Sequence, residues 1–136
     1  MDLFIEFKIT DTSDPFSDPE DPLKPQEGDF YFDKDSDNAW LVHDQLAFYA
    51  AAHEGCQFRV HTFCVLVCRK YARFIRWDHD GATVTWCFNC IKQPQLLVGF
   101  FWCYTHLDHS QQGYDTSVSS VTLKDIQQMQ HFERRF

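Results

Sequence analysis

The sequence is poor in glycine, with only five glycines in 136 residues, and the two nearest to each other are Gly99 and Gly113. A loop that cradles phosphates needs clustered glycines, because successive backbone amides must approach the ligand without obstruction by side chains. His-Arg-Asp, Asp-Phe-Gly and Gly-x-Ser-x-Gly motifs are also missing. The sequence therefore contains none of the usual elements of a nucleotide-dependent phosphotransferase or of a serine hydrolase.

Long apolar runs are missing as well, since no run approaches the ~20 residues needed to span a bilayer. The first residues, from Met1 to Glu6, have neither the basic flank nor the uninterrupted apolar stretch of a signal peptide. We therefore expect an intracellular protein, cytoplasmic or nuclear, without membrane association. In that compartment its six cysteines are expected to be reduced thiols.

Positive charge is scarce, and the formal net charge is -8 at pH 7. Residues 1–37 contain 12 Asp and Glu against three Lys, whereas residues 38–136 are close to neutral. We therefore do not expect nucleic acid as a partner, because proteins that bind it normally carry a basic surplus. Basic residues do recur around Arg73 and Arg76, and we interpret these as salt-bridged or solvent-facing, with the acidic segment as one source of partners.

What the chain does have is apolar and aromatic bulk, 44% and 17% of residues, which is enough for the core of one domain. Leu3–Ile9 predicts a strand, interior to a sheet, within an N-terminal segment 1–9. Residues 10–37 form an acidic, proline-containing loop, and residues 38–136 form an α+β module. We expect all three segments to belong to one domain.

Within the module, Ala39–Ala52 predicts a helix capped by Asp37 and ended by Gly55, and its apolar positions predict burial on more than one side. Phe58–Cys68 then predicts a central strand. Further features complete the pattern: strands Tyr71–Trp77 and Ala82–Phe88 around an Asp-Gly turn, core positions for Trp77 and Trp86, a core helix from Pro94, and a last helix opened by a Thr122 and Asp125 capping box.

The predicted fold class is α+β, with a mixed sheet that contains a strand-helix-strand crossover and a β-hairpin and is flanked by helices. Its first strand carries Glu6 and Lys8 on one face, about 6 to 7 Å apart, and the following helix carries Gln45 and Tyr49. This pattern resembles the Glu-x-Lys half of the PD-(D/E)xK nuclease core, so a truncated core of that type is an alternative. A metal-binding Asp on a preceding strand is missing, and the competing interpretation is a simple Glu-Lys ion pair.

Cys87 and Cys90 form the one Cys-x-x-Cys pattern in the sequence. Cys64 and Cys68 lie on a predicted strand about 13 Å apart, too far to complete a four-coordinate zinc site. We interpret these thiols as buried structural cysteines, with a metal or redox module as the alternative.

Several segments resemble the N-terminal part of the fungal-type protein kinase family, and the match covers nearly the whole chain. The sequence has His79 and Asp80 where family members usually have Arg and then Ser or Ala. The catalytic residues of such kinases lie C-terminal to this region, so the resemblance implies an accessory portion without its kinase. The matching segments are Phe4–Lys8, Asp14–Phe16, Gln45–Ala52, Gln57–Val65, Tyr71–Thr85 and Gly113–Asp115.

The first functional hypothesis is therefore a non-catalytic accessory or interaction module, a truncated family member whose partner is a protein, including a kinase domain outside this chain. This chain alone is then not expected to be an enzyme or to need a cofactor. The second hypothesis is a remnant of a metal-dependent nuclease with Glu6, Lys8 and Gln45 as site residues, and only this alternative involves a divalent metal. The third hypothesis is the cysteine-based module.

Overall fold

The structure, a computed structural model, describes residues 3–21 and 31–133 and has a mixed α+β fold. Three helices accompany a mixed sheet, as the sequence predicts, and this sheet has five strands where the sequence predicted four. The helices are α1 Asp37–Gln57, α2 Pro94–Thr105 and α3 Leu123–Glu133, and the strands are β1 Phe4–Lys8, β2 His61–Cys68, β3 Tyr71–Asp78, β4 Gly81–Val84 and β5 Phe88–Asn89.

The sheet has the order β1-β2-β3-β4, and the short β5 pairs with the other end of β3. β1 runs parallel to β2, so the predicted crossover through α1 is confirmed. β3 runs antiparallel to both β2 and β4. The predicted hairpin turn between β3 and β4 is also confirmed. Its Gly81 has a φ of 141°, a value that residues with a Cβ rarely adopt. The predicted strand Ala82–Phe88 is wrong in extent, since it is interrupted after Val84.

β1 is an edge strand within the described residues, and its predicted interior position is wrong. Phe4 is buried against α1, but Ile5 and Phe7 on the opposite face are exposed. A short apolar run such as Leu3–Ile9 is typical of an interior strand and also of an apolar edge strand, so the sequence pattern could not distinguish the two.

Helix α1 packs along one side only. Its N-cap is Ser36, whose Oγ accepts from the Ala39 amide at 3.2 Å, and the helix passes Gly55 to end at a left-handed Phe58 with φ 51°. The predicted cap at Asp37 and stop at Gly55 are therefore wrong by one turn or less. The predicted burial on several sides is wrong too, because the buried residues are confined to Ala39, Val42, Leu46 and Ala50.

Helix α2 lies on the sheet face opposite α1 and packs through aromatic rings. Phe100 stacks on Phe74 of β3 with ring centroids 4.2 Å apart, and it meets Phe63 of β2 edge-on. The prediction of a core helix is only partly correct, since Tyr104 is its one buried residue. Trp86, also predicted in the core, is largely exposed.

The acidic segment contributes to the core in the part that the structure describes. Asp14, Pro15 and Phe16 are buried, and Phe16 forms an isolated antiparallel bridge with Asp33. A short 3-10 turn at Asp11–Ser13 precedes them. The segment predicted as an acidic, proline-containing loop, residues 10–37, thus contains one short turn and one isolated bridge in its described part, and residues 22–30 lie outside the described residues.

Helix α3 begins as the capping box predicts. Thr122 donates through its amide and its hydroxyl to Asp125 Oδ2, and the Asp125 amide donates back to the Thr122 hydroxyl. No residue of α3 is buried. Its apolar residues, including Ile126, Met129 and Phe132, are exposed to solvent.

Candidate functional site

The three residues predicted as a site from the sequence do lie together. Glu6 and Lys8 form an ion pair on β1 with 2.8 Å between Oε1 and Nζ. Lys8 Nζ also donates to Gln45 Oε1 on α1 at 2.6 Å, and Gln45 Nε2 donates to the Tyr49 hydroxyl at 2.9 Å. Alternation along β1 places Glu6 and Lys8 on one face, and Gln45 and Tyr49 lie one turn apart on α1. These four side chains form a continuous polar chain where the strand and the helix meet.

This polar chain is only partly accessible to solvent. The side chains of Glu6 and Lys8 are each 19% exposed. Their neighbours are largely apolar, because Phe4 on the same face packs edge-on against Tyr49 with centroids 6.0 Å apart. Glu6 also lies in register with Leu66 of β2. A charged pair at this depth is stabilised chiefly by its own partners, since little water reaches it.

A second carboxylate close to Glu6 would be needed to hold a divalent cation firmly. Among residues 3–21 and 31–133, no three His, Cys, Asp or Glu side chains are grouped so that they could share a metal ion. Among the described residues the buried carboxylate belongs to Asp14, and Arg73 Nε donates to both of its oxygens. As described, the polar chain offers one carboxylate and one amide oxygen, both already bonded to Lys8.

A second polar cluster, which the sequence did not single out as a site, surrounds Arg73 on β3. Its Nε donates to Asp14 Oδ1 and Oδ2 at 3.0 and 2.8 Å, and its Nη1 donates to Asp18 and to the Thr85 carbonyl. Burial favours the neutral guanidine, but the hydrogen bonds and charges of Asp18 and Asp14 leave the pKa of Arg73 raised. The guanidinium therefore stays charged in the core.

This Arg73 cluster fastens the acidic segment onto the sheet. The Phe16 carbonyl accepts from Arg73 Nη2, and Asp18 Oδ2 accepts from the Cys87 amide at 3.1 Å. The available signal was the alternation Arg73, Ile75, Trp77, which places a guanidinium on the core face of β3. It predicts a buried partner of opposite charge, and the Asp-rich segment supplies it.

The basic residues around Arg73 and Arg76 do not form one surface. Arg73 is buried in its cluster, and Arg76 pairs with Asp78 of its own strand. Arg59 is buried too, donating to the Gln112 carbonyl and lying over the Tyr114 ring at 3.9 Å. The interpretation of these arginines as salt-bridged is confirmed for Arg73 and Arg76.

The cysteines are free thiols in the described structure. Burial raises the pKa of Cys64 and of Cys68 to about 12, which keeps both thiols protonated and unreactive at neutral pH. Cys90 is buried and its Sγ donates to the Lys70 carbonyl at 3.2 Å, while burial raises the pKa of half-buried Cys87. No observation here favours the metal or redox module, which stays a prediction.

No family model, curated protein or solved structure matches this chain. Among the described residues, none of the helices combines the length and the apolar character needed to cross a bilayer. Inferences about the function of this chain therefore depend on the geometry of its described residues.

Proposed function

We propose that this chain is a non-catalytic, intracellular interaction module, related to the N-terminal region that fungal-type protein kinases place before their catalytic residues. Its partner is a protein. The observation that carries the proposal is the contrast between two surfaces of β1. Of the polar groups that could do chemistry, Lys8 is paired with Glu6 and bonded to Gln45, whereas the large apolar side chains of Ile5 and Phe7 on β1, and of Ile9 just after it, face solvent.

Exposed apolar groups of this size add little to folding, because they remain in contact with water in the isolated chain. They become useful when a partner covers them. Within the described residues no strand pairs with the side of β1 that faces away from β2, which we call the outer edge of β1. An edge of that kind presents unpaired backbone donors and acceptors beside apolar side chains, the combination that strand-adding partners recognise.

The proposal is tested by titrating the purified chain with ATP and Mg²⁺ in a calorimeter and by assaying phosphoryl transfer to a generic acceptor protein. We expect no saturable heat and no transfer, with an active protein kinase as the positive control. Measurable nucleotide binding or turnover by the chain would overturn the non-catalytic assignment.

A metal-dependent nuclease remnant is the second candidate, and one observation favours it. The hydrogen bond between Lys8 and Gln45 brings the Glu-x-Lys pattern and the helix that bears Gln and Tyr into a single cluster. In such a site Glu6 would ligate a divalent cation through oxygen, and Lys8 would assist an attacking water or stabilise a scissile phosphate.

This candidate is tested by calorimetric titration of Mn²⁺ into the wild-type chain, Glu6→Ala and the matched control Glu133→Ala on α3. A site at Glu6 predicts that Glu6→Ala alone loses the binding heat. Identical traces for wild type and Glu6→Ala would remove the nuclease candidate.

A further inference from the structure

β1 is unusual for an edge strand because its sequence is nearly self-complementary. From Ile5 to Lys8, the end of β1, and on to Ile9 just beyond it, apolar residues alternate with one acidic and one basic residue, in the order Ile, Glu, Phe, Lys, Ile. Ile5, Phe7 and Ile9 are 41%, 70% and 91% exposed. Edge strands of monomeric proteins are usually protected by charges, prolines or bulges, and here the two charged residues of the strand, Glu6 and Lys8, already pair with each other.

We propose that the outer edge of β1 pairs with β1 of a second copy of this chain, antiparallel and centred on Phe7. This inference rests on the proposed function, because it names the partner of the same interaction surface. In that register Phe7 faces Phe7 of the other copy, Ile5 faces Ile9, and Glu6 faces Lys8. The five-stranded sheets of the two copies then join into one continuous sheet.

Backbone geometry supports this register. The Arg69 amide donates to the Lys8 carbonyl at 2.9 Å, so Lys8 and, by alternation, Glu6 direct their backbone groups toward β2. The amides and carbonyls of Ile5 and Phe7 consequently point to the outer edge. Centring the antiparallel pair on Phe7 makes Phe7 a mutually hydrogen-bonded pair, which is the arrangement that uses these outward groups.

Charge selects the same register. A pair centred on Glu6 would also satisfy the outward backbone groups of Ile5 and Phe7, but it would place the two Glu6 side chains directly opposite each other. Like charges opposite each other destabilise a strand pair, whereas an opposite-charge pair stabilises it by roughly 0.2 to 1 kcal/mol. Centring on Phe7 gives two Glu6-Lys8 pairs and places the exposed apolar residues of the strand, Ile5 and Phe7, on one face.

The expected affinity is modest, because a single pair of short strands buries less area than a standard protein interface. Sedimentation equilibrium should therefore show a reversible dimer, about twice the 16.1 kDa of the chain, that forms between micromolar and millimolar concentration. Phe7→Lys should raise the dissociation constant at least about tenfold, the loss expected of a central apolar anchor. Phe48→Lys is the matched control, because Phe48 on α1 is also 70% exposed and should leave the dissociation constant unchanged.

The register is tested by charge exchange and by cross-linking. Glu6→Lys should weaken the dimer, and the double variant Glu6→Lys/Lys8→Glu should restore it, since the cross-strand pairs are then reversed but complete. In a background of Cys56→Ser and Cys103→Ser, which removes the two exposed thiols, Phe7→Cys should form a disulfide dimer across a Cα separation of about 5.5 Å. Ile5→Cys should not, because its counterpart is Ile9.

A wild-type chain that stays monomeric up to millimolar concentration would overturn the inference, as would equal weakening by Phe7→Lys and Phe48→Lys. Rapid cross-linking of both Phe7→Cys and Ile5→Cys would overturn the antiparallel register, since it indicates parallel pairing. These outcomes are independent of the ATP and Mg²⁺ titration. A monomer without nucleotide binding refutes the homodimer alone, and a dimer that binds nucleotide refutes the non-catalytic assignment alone.

Discussion

Arg73 shows how a charged side chain can organise a core instead of disrupting it. Its side chain is 3% exposed and is surrounded by Asp14, Asp18 and the carbonyls of Phe16 and Thr85. A buried ion cluster of this kind adds less net stability than its contacts suggest, because both charges lose their hydration. Its effect is to specify where the acidic segment docks, since Asp14, Asp18 and the Phe16 carbonyl all bond to this one guanidinium.

Replacing Arg73 with methionine should destabilise the fold strongly. Arg73→Met leaves the Asp14 carboxylate buried without its cation, a loss of about 3 to 5 kcal/mol in the free energy of unfolding. Urea denaturation followed by tryptophan fluorescence measures this loss. Arg76→Met is the control, because Arg76 is 40% exposed and its pair with Asp78 should contribute no more than about 1 kcal/mol. Equal losses in the two variants would contradict the organising role of Arg73.

The two tryptophans of the hairpin region differ in burial and should therefore contribute differently to the free energy of unfolding. Trp77 is 8% exposed within the core between the sheet and α1, whereas Trp86 is 45% exposed. Trp77→Ala should therefore cost roughly 3 to 5 kcal/mol, and Trp86→Ala clearly less. Thermal denaturation of both variants checks the difference. An unchanged melting temperature for Trp77→Ala would mean that the face of β3 packed against α1 is assigned incorrectly.

At the scale of elements, Gly113 fixes the segment after α2 against β2. Its φ is 102°, and a Cβ built on it would lie 2.0 Å from the His61 carbonyl oxygen. The Val60 amide donates to the Gly113 carbonyl at 2.8 Å, so backbone meets backbone here. Such an approach leaves no room for a side chain, and only glycine adopts this φ without strain.

Gly113→Ala should therefore lower the free energy of unfolding by more than about 1 kcal/mol. Gly99→Ala is the contrasting substitution, because Gly99 lies within α2 with nothing within 4 Å of its would-be Cβ. That variant should gain roughly 0.5 to 1 kcal/mol from helix propensity. Chemical denaturation of both chains gives the comparison, and a stabilised Gly113→Ala would refute the close approach to β2.

How far the sequence predicts these elements depends on whether the deciding interaction is local. The hairpin turn at Gly81 and the capping box at Thr122 were predictable, since turn and cap residues act within four positions of each other. The edge position of β1 was not, because it depends on which strand pairs with it across the sheet. The one-sided packing of α1 was missed for the same reason, as its apolar residues exceed what its single neighbour can cover.

The candidate sites divide in the same way. The cluster of Glu6, Lys8 and Gln45 was predictable from strand alternation and the crossover that follows. The Arg73 cluster was not predicted as such, because its partners Asp14 and Asp18 lie more than 50 positions away in the sequence. Strand alternation places Arg73 on the core face, where it needs a partner of opposite charge. Which acidic residues pair with it depends on how the acidic segment packs on the sheet, and the sequence does not give that.

At the scale of the whole molecule, the two faces of the sheet are covered to different extents in the part that the structure describes. One side of the sheet is covered by α1 and the acidic segment, and the other is covered by α2 over β2 and β3 but not over β1. The apolar residues left outside lie at β1, on the outer side of α1 and α2, and along α3. Because hydrophobic surface of this extent favours association, we expect the chain to associate as its concentration rises.

Helix α3 should behave almost independently of the rest of the molecule. None of its residues is buried, and an isolated helix of 11 residues is only marginally stable in water. A chain ending at Val121 should therefore melt at the same temperature as the full chain, within about 1 °C, as measured by circular dichroism. Hydrogen exchange should show little protection of the α3 amides, while those of β2 and β3 exchange only on global unfolding. A clear drop in melting temperature on removal of α3, or strong protection of its amides, would show that this helix packs against the sheet or against another copy in solution.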